Sequence, residues 1–549
     1  MRSVIRTPDF PVAETKRGKY HGFLSDDVYH FHGIRYGRAQ RFELPEKVGA
    51  FGGIKDAKAF GYVCPLMRSS GRQSITSVKH DPEMEFNPMA DPFSSFEMQH
   101  VYWPMDEDCL FLNVWTKHLP GIMEHKPVEG VPQNNIVKRP VMLWLHGGGF
   151  GAGSAVELPA YDGHNLASYG DVVVVSINHR LNCLGFLDLS AYGESFRYSG
   201  IAGMADIVLA LRWVKENIAV FGGDPENVTV AGQSGGGGKA IALLQMPPAD
   251  GLFKRLICQS CAPGGLNREV GNSVGEEKKR WQDLGMKTAE LLGLTAETID
   301  KIRSIPYEQL SDAAEEAGRI LGYAEGMLLF EPSPVPGFYE GRYECAGFRE
   351  ETKDIALIAG TVLGEFNFMH YFGDKSSYSE LEKHAMLEEQ FGADTDAVLT
   401  EFKKVYPDMD ILYALGIDSI FRPIALRYLN ARNAFTDAPC FNYMMSFIIP
   451  YLGGVTPWHC SCLPYTFRNL EKEPAHCTGT RTYAEKLQDD VSRAWISFLE
   501  SGNPSTSHLR WDPYTAGKPV RMEFAEETRM TDADDTELMR LLQKHMQSR

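Results

Sequence analysis

Between residues 140 and 234 the chain carries three short, nearly unbroken apolar runs, each closing on a glycine-rich or polar turn. They read PVMLWLHG (140–147), DVVVVSINHR (171–180) and NVTVAGQS (227–234). Such runs, rich in β-branched residues, are expected of central strands covered on both faces. The segment 203–223 between the last two switches to a helical period. Ile207, Leu211, Val214 and Ile218 recur on one face, and Gly222 and Gly223 close it. Strand, helix, strand predicts a parallel sheet with right-handed crossovers, and so an α/β fold.

Beyond Gly265 the pattern becomes mainly amphipathic helix, over 273–320 and 376–436. A strand-like DIALIAGTVLG (354–364) interrupts it, and CFNYMMSFI (440–448) returns as a strand. SRAWISFLESGNPS (492–505) predicts a helix ended by Gly502, with Pro504 just past the stop. No repeat, low-complexity tract or interdomain linker breaks the chain. The expected architecture is one domain over 1–549: a mostly parallel central sheet flanked by helices, with helical excursions roofing a site on it.

Charge and composition narrow the partners. A formal net charge of −17 argues against nucleic acid or an anionic membrane surface. The first residues contain no apolar signal-like core, and no run approaches 18 apolar residues. The expected compartment is therefore the cytoplasm, with the 10 cysteines mostly as thiols.

The chemistry concentrates in VTVAGQSGGGGKA (228–240), where Val228–Ala231 read as a strand and the helix is expected to resume at Lys239. A serine at the tip of a sharp strand-to-helix turn needs small neighbours, and Gly232-Gln233-Ser234-Gly235-Gly236 supplies them as G-x-S-x-G. This nucleophile elbow exposes the Ser234 hydroxyl and aims the Gly235 N–H at the same space, where the helix dipole favours a developing anion. A phosphate loop would require Ser or Thr after Lys239, and Ala240 stands there.

A serine nucleophile also needs backbone donors for the oxyanion. His146-Gly147-Gly148-Gly149-Phe150 follows a predicted strand, and the N–H groups of Gly148 and Gly149 would join that of Gly235. NVT at 227–229 is a formal glycosylation sequon, but it lies in a predicted buried strand.

Together these segments resemble the type-B carboxylesterase family of the α/β-hydrolase fold, and within it the bacterial p-nitrobenzyl-esterase-like branch. The resemblance runs over almost the whole chain. It is carried by KRGKYHGF and FHGIRYG near the start, by EDCLFLNV (107–114), and by INHRLNCLGFL, WVKENIAVFGGDPENVTVAGQS and AWISFLESGNPS in that order. It implies a Ser–Glu–His triad acting without metal or organic cofactor. Its acid falls at Glu365 in IAGTVLGEF, and its histidine at His459, heading HCSCLPYTF. Spacing alone would not have picked either residue. His459 would take and return the serine proton, and Glu365 would orient the imidazole. A zinc site among His459, Cys460, Cys462, His476 and Cys477 is the rival reading, but H-C-x-C…H-C has no zinc-ligand spacing. Cys64 and Cys109 fall where exported relatives often form a disulfide, expected here to stay open.

The chain also departs from the family pattern, whose elbow usually reads GESAGG. Gln233 stands for a buried acid, Cys462 for another acid, and Ile201 and Ile207 for polar residues. Gly235 stands for alanine and is expected to loosen the turn. Phe150, Gln233, Phe366, Met369 and Trp458 are the expected pocket residues, with Phe368 nearby; Met89, Met98, Tyr102, Trp103 and Met105 are candidates for a gorge wall. The expected function is a serine carboxylesterase acting on a small-molecule ester, as a monomer or small homo-oligomer. Amide or carbamate hydrolysis or acyl transfer on the same triad is the alternative, and a noncatalytic binding relative the remote one.

Overall fold

The computed structural model describes residues 4–5, 11–67, 103–120, 138–262, 272–366, 374–450, 453–477 and 481–545. Its centre is a 12-stranded mixed sheet. Seven strands run parallel, in the spatial order Val173–Ile177, Arg139–Leu145, Gly223–Gln233, Arg255–Gln259, Ala356–Val362, Cys440–Met445 and Arg521–Phe524. Antiparallel strands extend both edges, with Phe111–Thr116 beside Val173–Ile177 and Arg529–Thr531 beside Arg521–Phe524.

Burial explains why these strands read as continuous apolar runs. Along Arg139–Leu145, Val141, Leu143 and Leu145 enter one hydrophobic cluster, while Met142 and Trp144 enter a second on the opposite face. Val173 and Val175 alternate with Val174 in the same way, and Leu256 and Cys258 with Ile257. Side chains on both pleats are withdrawn from water, each worth about 1.5–3 kcal/mol for a residue of this size. Helices Ala202–Asn217 and Arg481–Ser501 supply much of the two covers. A third cluster gathers under helices Glu380–Phe391, Thr395–Val405 and Thr536–Lys544, and includes Leu363 and Met444 at the end of the sheet.

Of the boundaries that differ from expectation, two concern the helices on either side of the elbow strand. The helix predicted over 203–223 is α-helical only to Asn217, tightens to a 3-10 turn over Ile218–Phe221, and stops at Gly222 with φ 80°. The helix after the elbow starts at Gly235 rather than Lys239, so the glycines form its first turn. Glycine is a poor helix former, by about 1 kcal/mol against alanine. Close packing overrides that preference: a Cβ at Gly236 would stand 2.0 Å from the Leu145 carbonyl oxygen. Among the described residues no helix is long and apolar enough to cross a membrane.

Candidate active site

The strands Gly223–Gln233, Arg255–Gln259 and Ala356–Val362 lie side by side, with Gln233 opposite Gln259 and Gln259 opposite Gly360. Their carboxyl ends therefore open at one edge, where parallel α/β sheets place their ligands. Ser234 follows the first of these ends and Glu365 the last, two strands apart, about 10 Å at the usual strand spacing.

Ser234 sits at φ 55° and ψ −127°, between the strand and the helix Gly235–Leu243. Few non-glycine residues adopt such angles, and the cost is of order 1–3 kcal/mol. The turn is held by Ser234 N–H donating to the Gln259 carbonyl (2.9 Å) and by Gly238 N–H donating to that of Ser234 (3.1 Å). The serine itself remains half-buried.

Glu365 also has a positive φ, 45°. Its carboxylate accepts from Val362 N–H at 2.9 Å through Oε1, and Oε2 meets His459 Nδ1 in a short contact. The backbone reinforces the pair, because His459 N–H donates to the Glu365 carbonyl at 3.0 Å. Phe366 stacks on the imidazole at 4.3 Å and Phe421 packs at 4.9 Å. Asp418 lies close behind; burial, and then the charge of Glu365, push its carboxyl up to about 7.

The structure thus joins Glu365 and His459 directly. Among the described residues no hydrogen bond joins Ser234 Oγ to the imidazole. Gln233 Nε2 instead lies 3.2 Å from His459 Nε2, and the Cys460 thiol donates to Gln233 Oε1 at 3.2 Å. Gln233 is fully buried, so it meets the histidine at Nε2 from inside the protein and is not an open pocket wall as expected. Trp458 is likewise displaced from its expected role: it is 1% exposed, and its indole packs against His476. Phe366, 46% exposed, does line a cleft, with Phe391, Leu415, Ile417 and Ile420. Phe150 packs edge-on against Phe186 and borders a second cleft with Gly238, Ile241, Glu331 and Tyr343. Burial raises the Glu331 carboxyl to about 8, so this apolar cleft has a largely protonated acid in its wall at neutral pH. A more voluminous groove between 405–413, 446–448 and 521–531 holds none of the candidate groups.

Trp103 packs on Phe60, and Met105 bridges to Val63. Met89, Met98, Tyr102, Phe368 and Met369 lie outside the described residues. Cys64 and Cys109 are both free and buried, and contact with Cys64, followed by burial, drives the Cys109 thiol well upward. No three metal-ligating side chains gather at one point among the described residues.

Gly148 and Gly149 have φ of 84° and 59°, so the glycine loop takes a path that side chains rarely follow. The loop is tied down from several sides. Ala152 N–H donates to the Gly148 carbonyl at 2.9 Å, Asn182 N–H to that of Phe150 at 2.9 Å, and Lys239 Nζ to that of His146 at 3.2 Å. Lys239 is wholly buried, and desolvation lowers its ammonium to about 7, opposed by the charge of Glu157. In the sequence this lysine serves only to exclude a phosphate loop. A long cation at an apolar helical position, five residues past the serine, was the available signal.

The expectation that Gly235 loosens the turn is corrected. A Cβ there would lie 2.2 Å from the Gly149 carbonyl oxygen and 2.5 Å from its nitrogen. The glycine is what lets the two backbones touch. Gly235→Ala is expected to push the loop outward by about 1 Å and lower kcat on an activated ester roughly 100-fold. Steady-state kinetics on the folded variant checks this, and a loss under threefold would count against close packing as the reason for the glycine.

The carboxylesterase family model matches residues 9–541 of this chain. The para-nitrobenzyl esterase of Bacillus subtilis (strain 168) is 30% identical over 538 residues, covering 96% of this chain and 95% of the relative. A phenmedipham hydrolase of Pseudarthrobacter oxydans is 29% identical, covering 94% and 95%. Among solved structures, an esterase from anaerobic Clostridium hathewayi, described as able to hydrolyze aliphatic aromatic polyesters, superposes with a TM-score of 0.84 at 35% identity, covering 99% of this chain and 100% of that one. Fold, strand-end placement and near-complete sequence match agree: this chain belongs to the carboxylesterase family and is a carboxylic ester hydrolase.

Proposed function

We propose that ester cleavage proceeds through an acyl-enzyme formed on Ser234, with His459 as base and then acid and Glu365 as the group that orients it. The observation that carries this reading is the Glu365–His459 contact beside a half-buried serine held in a strained turn. With Nδ1–H given to Glu365, Nε2 keeps the lone pair needed to accept the serine proton. Nε2 must leave Gln233 for Ser234 Oγ as substrate arrives. The alkoxide then attacks the acyl carbon, and the N–H groups of Gly148, Gly149 and Gly235 receive the charge on oxygen. Collapse expels the alcohol, which takes the proton from Nε2. Water repeats the sequence on the acyl-serine and releases the acid.

The mainly apolar cleft lined by Phe366, about 260 Å³ in volume, supports an ester with a hydrophobic acyl or alcohol part. The likeness to an esterase described as acting on aliphatic aromatic polyesters supports the same substrate class. The test is turnover of a graded p-nitrophenyl acyl ester series together with labelling by a fluorophosphonate probe. Ester turnover with labelling is expected. Labelling without ester turnover would redirect the search to amides, carbamates or acyl transfer, and a folded protein with neither would sink the reading.

Gln233→Glu places a carboxylate 3.2 Å from where the imidazolium forms. An adjacent negative charge favours the protonated ring, so the base is lost at higher pH. The acidic limb of kcat/KM is expected to move upward by roughly one pH unit. An unmoved limb would contradict the contact.

A further inference from the structure

Cys460 is the residue after the catalytic-site histidine, and its backbone is strained. Its φ is 78°, in a region that a side chain with a Cβ rarely occupies and glycine occupies freely. Strain of this kind persists only where the surroundings hold it, which raises the question of what the thiol does. Among the described residues, Cys460 Sγ has one hydrogen-bond partner, Gln233 Oε1, at 3.2 Å. The other end of the same carboxamide lies 3.2 Å from His459 Nε2. The carboxamide is confined under Gly147, where an added Cβ would come within 3.2 Å of Oε1.

The chemistry of the three groups is matched. A neutral His459 presents a lone pair at Nε2, and the Gln233 NH₂ donates to it while Oε1 accepts from the thiol. Once Nε2 carries the proton, it needs an acceptor. Half a turn of the carboxamide brings Oε1 to Nε2–H and the NH₂ to Sγ, which accepts where it previously donated. A thiol serves in both states because it is both donor and acceptor.

We propose that Cys460 is a positioning residue: its thiol steers the Gln233 carboxamide, which donates to Nε2 of the resting histidine and, turned over, accepts from the imidazolium N–H that the ring shares with the leaving oxygen. This rests on the Ser234–His459–Glu365 reading above. The titratable groups around the relay are Glu365 at Nδ1 of the imidazole, Asp418 facing Glu365, and Cys462, Glu157 and Tyr161 facing Cys460. Burial drives both thiols well upward, so each acts as S–H and not as thiolate.

The test is a kinetic and thermal comparison of Cys460→Gly, Cys460→Ala and Cys460→Ser with the full-length wild type, and with Ser234→Ala in parallel. Cys460→Gly relieves the backbone, so its Tm is expected to equal or exceed that of the wild type. Its kcat is expected to fall roughly three- to tenfold, the change one hydrogen bond carries, with KM within about twofold. The acidic limb of kcat/KM is expected to move to lower pH, because the imidazolium loses its steered acceptor. Cys460→Ala is expected to share the kinetic loss. Cys460→Ser, whose hydroxyl also donates and accepts, is expected to recover most of it. Wild-type kcat and limb in Cys460→Gly, or equal kinetics for the alanine and serine variants, would overturn the assignment. If those results came with an inactive Ser234→Ala, only this inference would fall. An active Ser234→Ala would instead take down the reading beneath it.

Discussion

Ser234→Ala is expected to abolish ester turnover, lowering kcat by roughly six orders of magnitude, the loss found when a serine nucleophile is removed from a working triad. The backbone remains at φ 55°, so the alanine inherits the strain that the serine bears and the fold should be unaffected. Ser234→Gly provides the complementary measurement. It is equally inactive but relieves the turn, and should be more stable by about 1 kcal/mol. Chemical denaturation and p-nitrophenyl ester assays on the three proteins separate the effects. An alanine variant keeping more than a hundredth of the wild-type rate would place the nucleophile elsewhere.

Glu365→Gln should be nearly as damaging, because both carboxylate oxygens are in use as acceptors. Oε1 accepts from Val362 N–H at 2.9 Å, and Oε2 meets His459 Nδ1. A carboxamide has one acceptor oxygen. If that oxygen keeps the backbone bond, the NH₂ faces Nδ1 and selects the tautomer with the proton on Nε2, which cannot accept from serine. The expected loss in kcat is about 10⁴. A control lies in Asp418, whose carboxyl is pushed up to about 7 by burial and then by Glu365. An acid raised in the folded state contributes stability that is fully present below its unfolded value and lost as pH rises through about 7. Removing the Glu365 charge should soften that loss, so the variant's stability should decline less between pH 4 and 7 than that of the wild type. Wild-type-like kcat in Glu365→Gln would remove Glu365 from the mechanism.

The two large effects fall on residues that reached prominence by different routes. Ser234 is legible from thirteen consecutive residues, because a buried strand, a glycine turn and a helix are each written in local pattern and together leave one exposed hydroxyl. The glycine loop at 147–149 is legible for the same reason. Glu365 and His459, 94 residues apart, are not. One acid among 72 and one histidine among 16 carry no local signature, and only the resemblance to a family singled them out.

By itself the sequence determined the α/β class, the central strands, and the glycine turn that carries Ser234. These follow from the two-residue and 3.6-residue periods of burial and from where glycine can bend a chain. Only the tertiary structure decided that Gly235 is required by contact with Gly149. Only it could show that Gln233 and Trp458 are buried rather than exposed to a pocket, or that Gln233 joins His459 to Cys460 across more than 200 residues. Those contacts depend on the register that aligns three strand ends at one edge of the sheet. Register is set by the packing of whole faces, and no short stretch of residues encodes it.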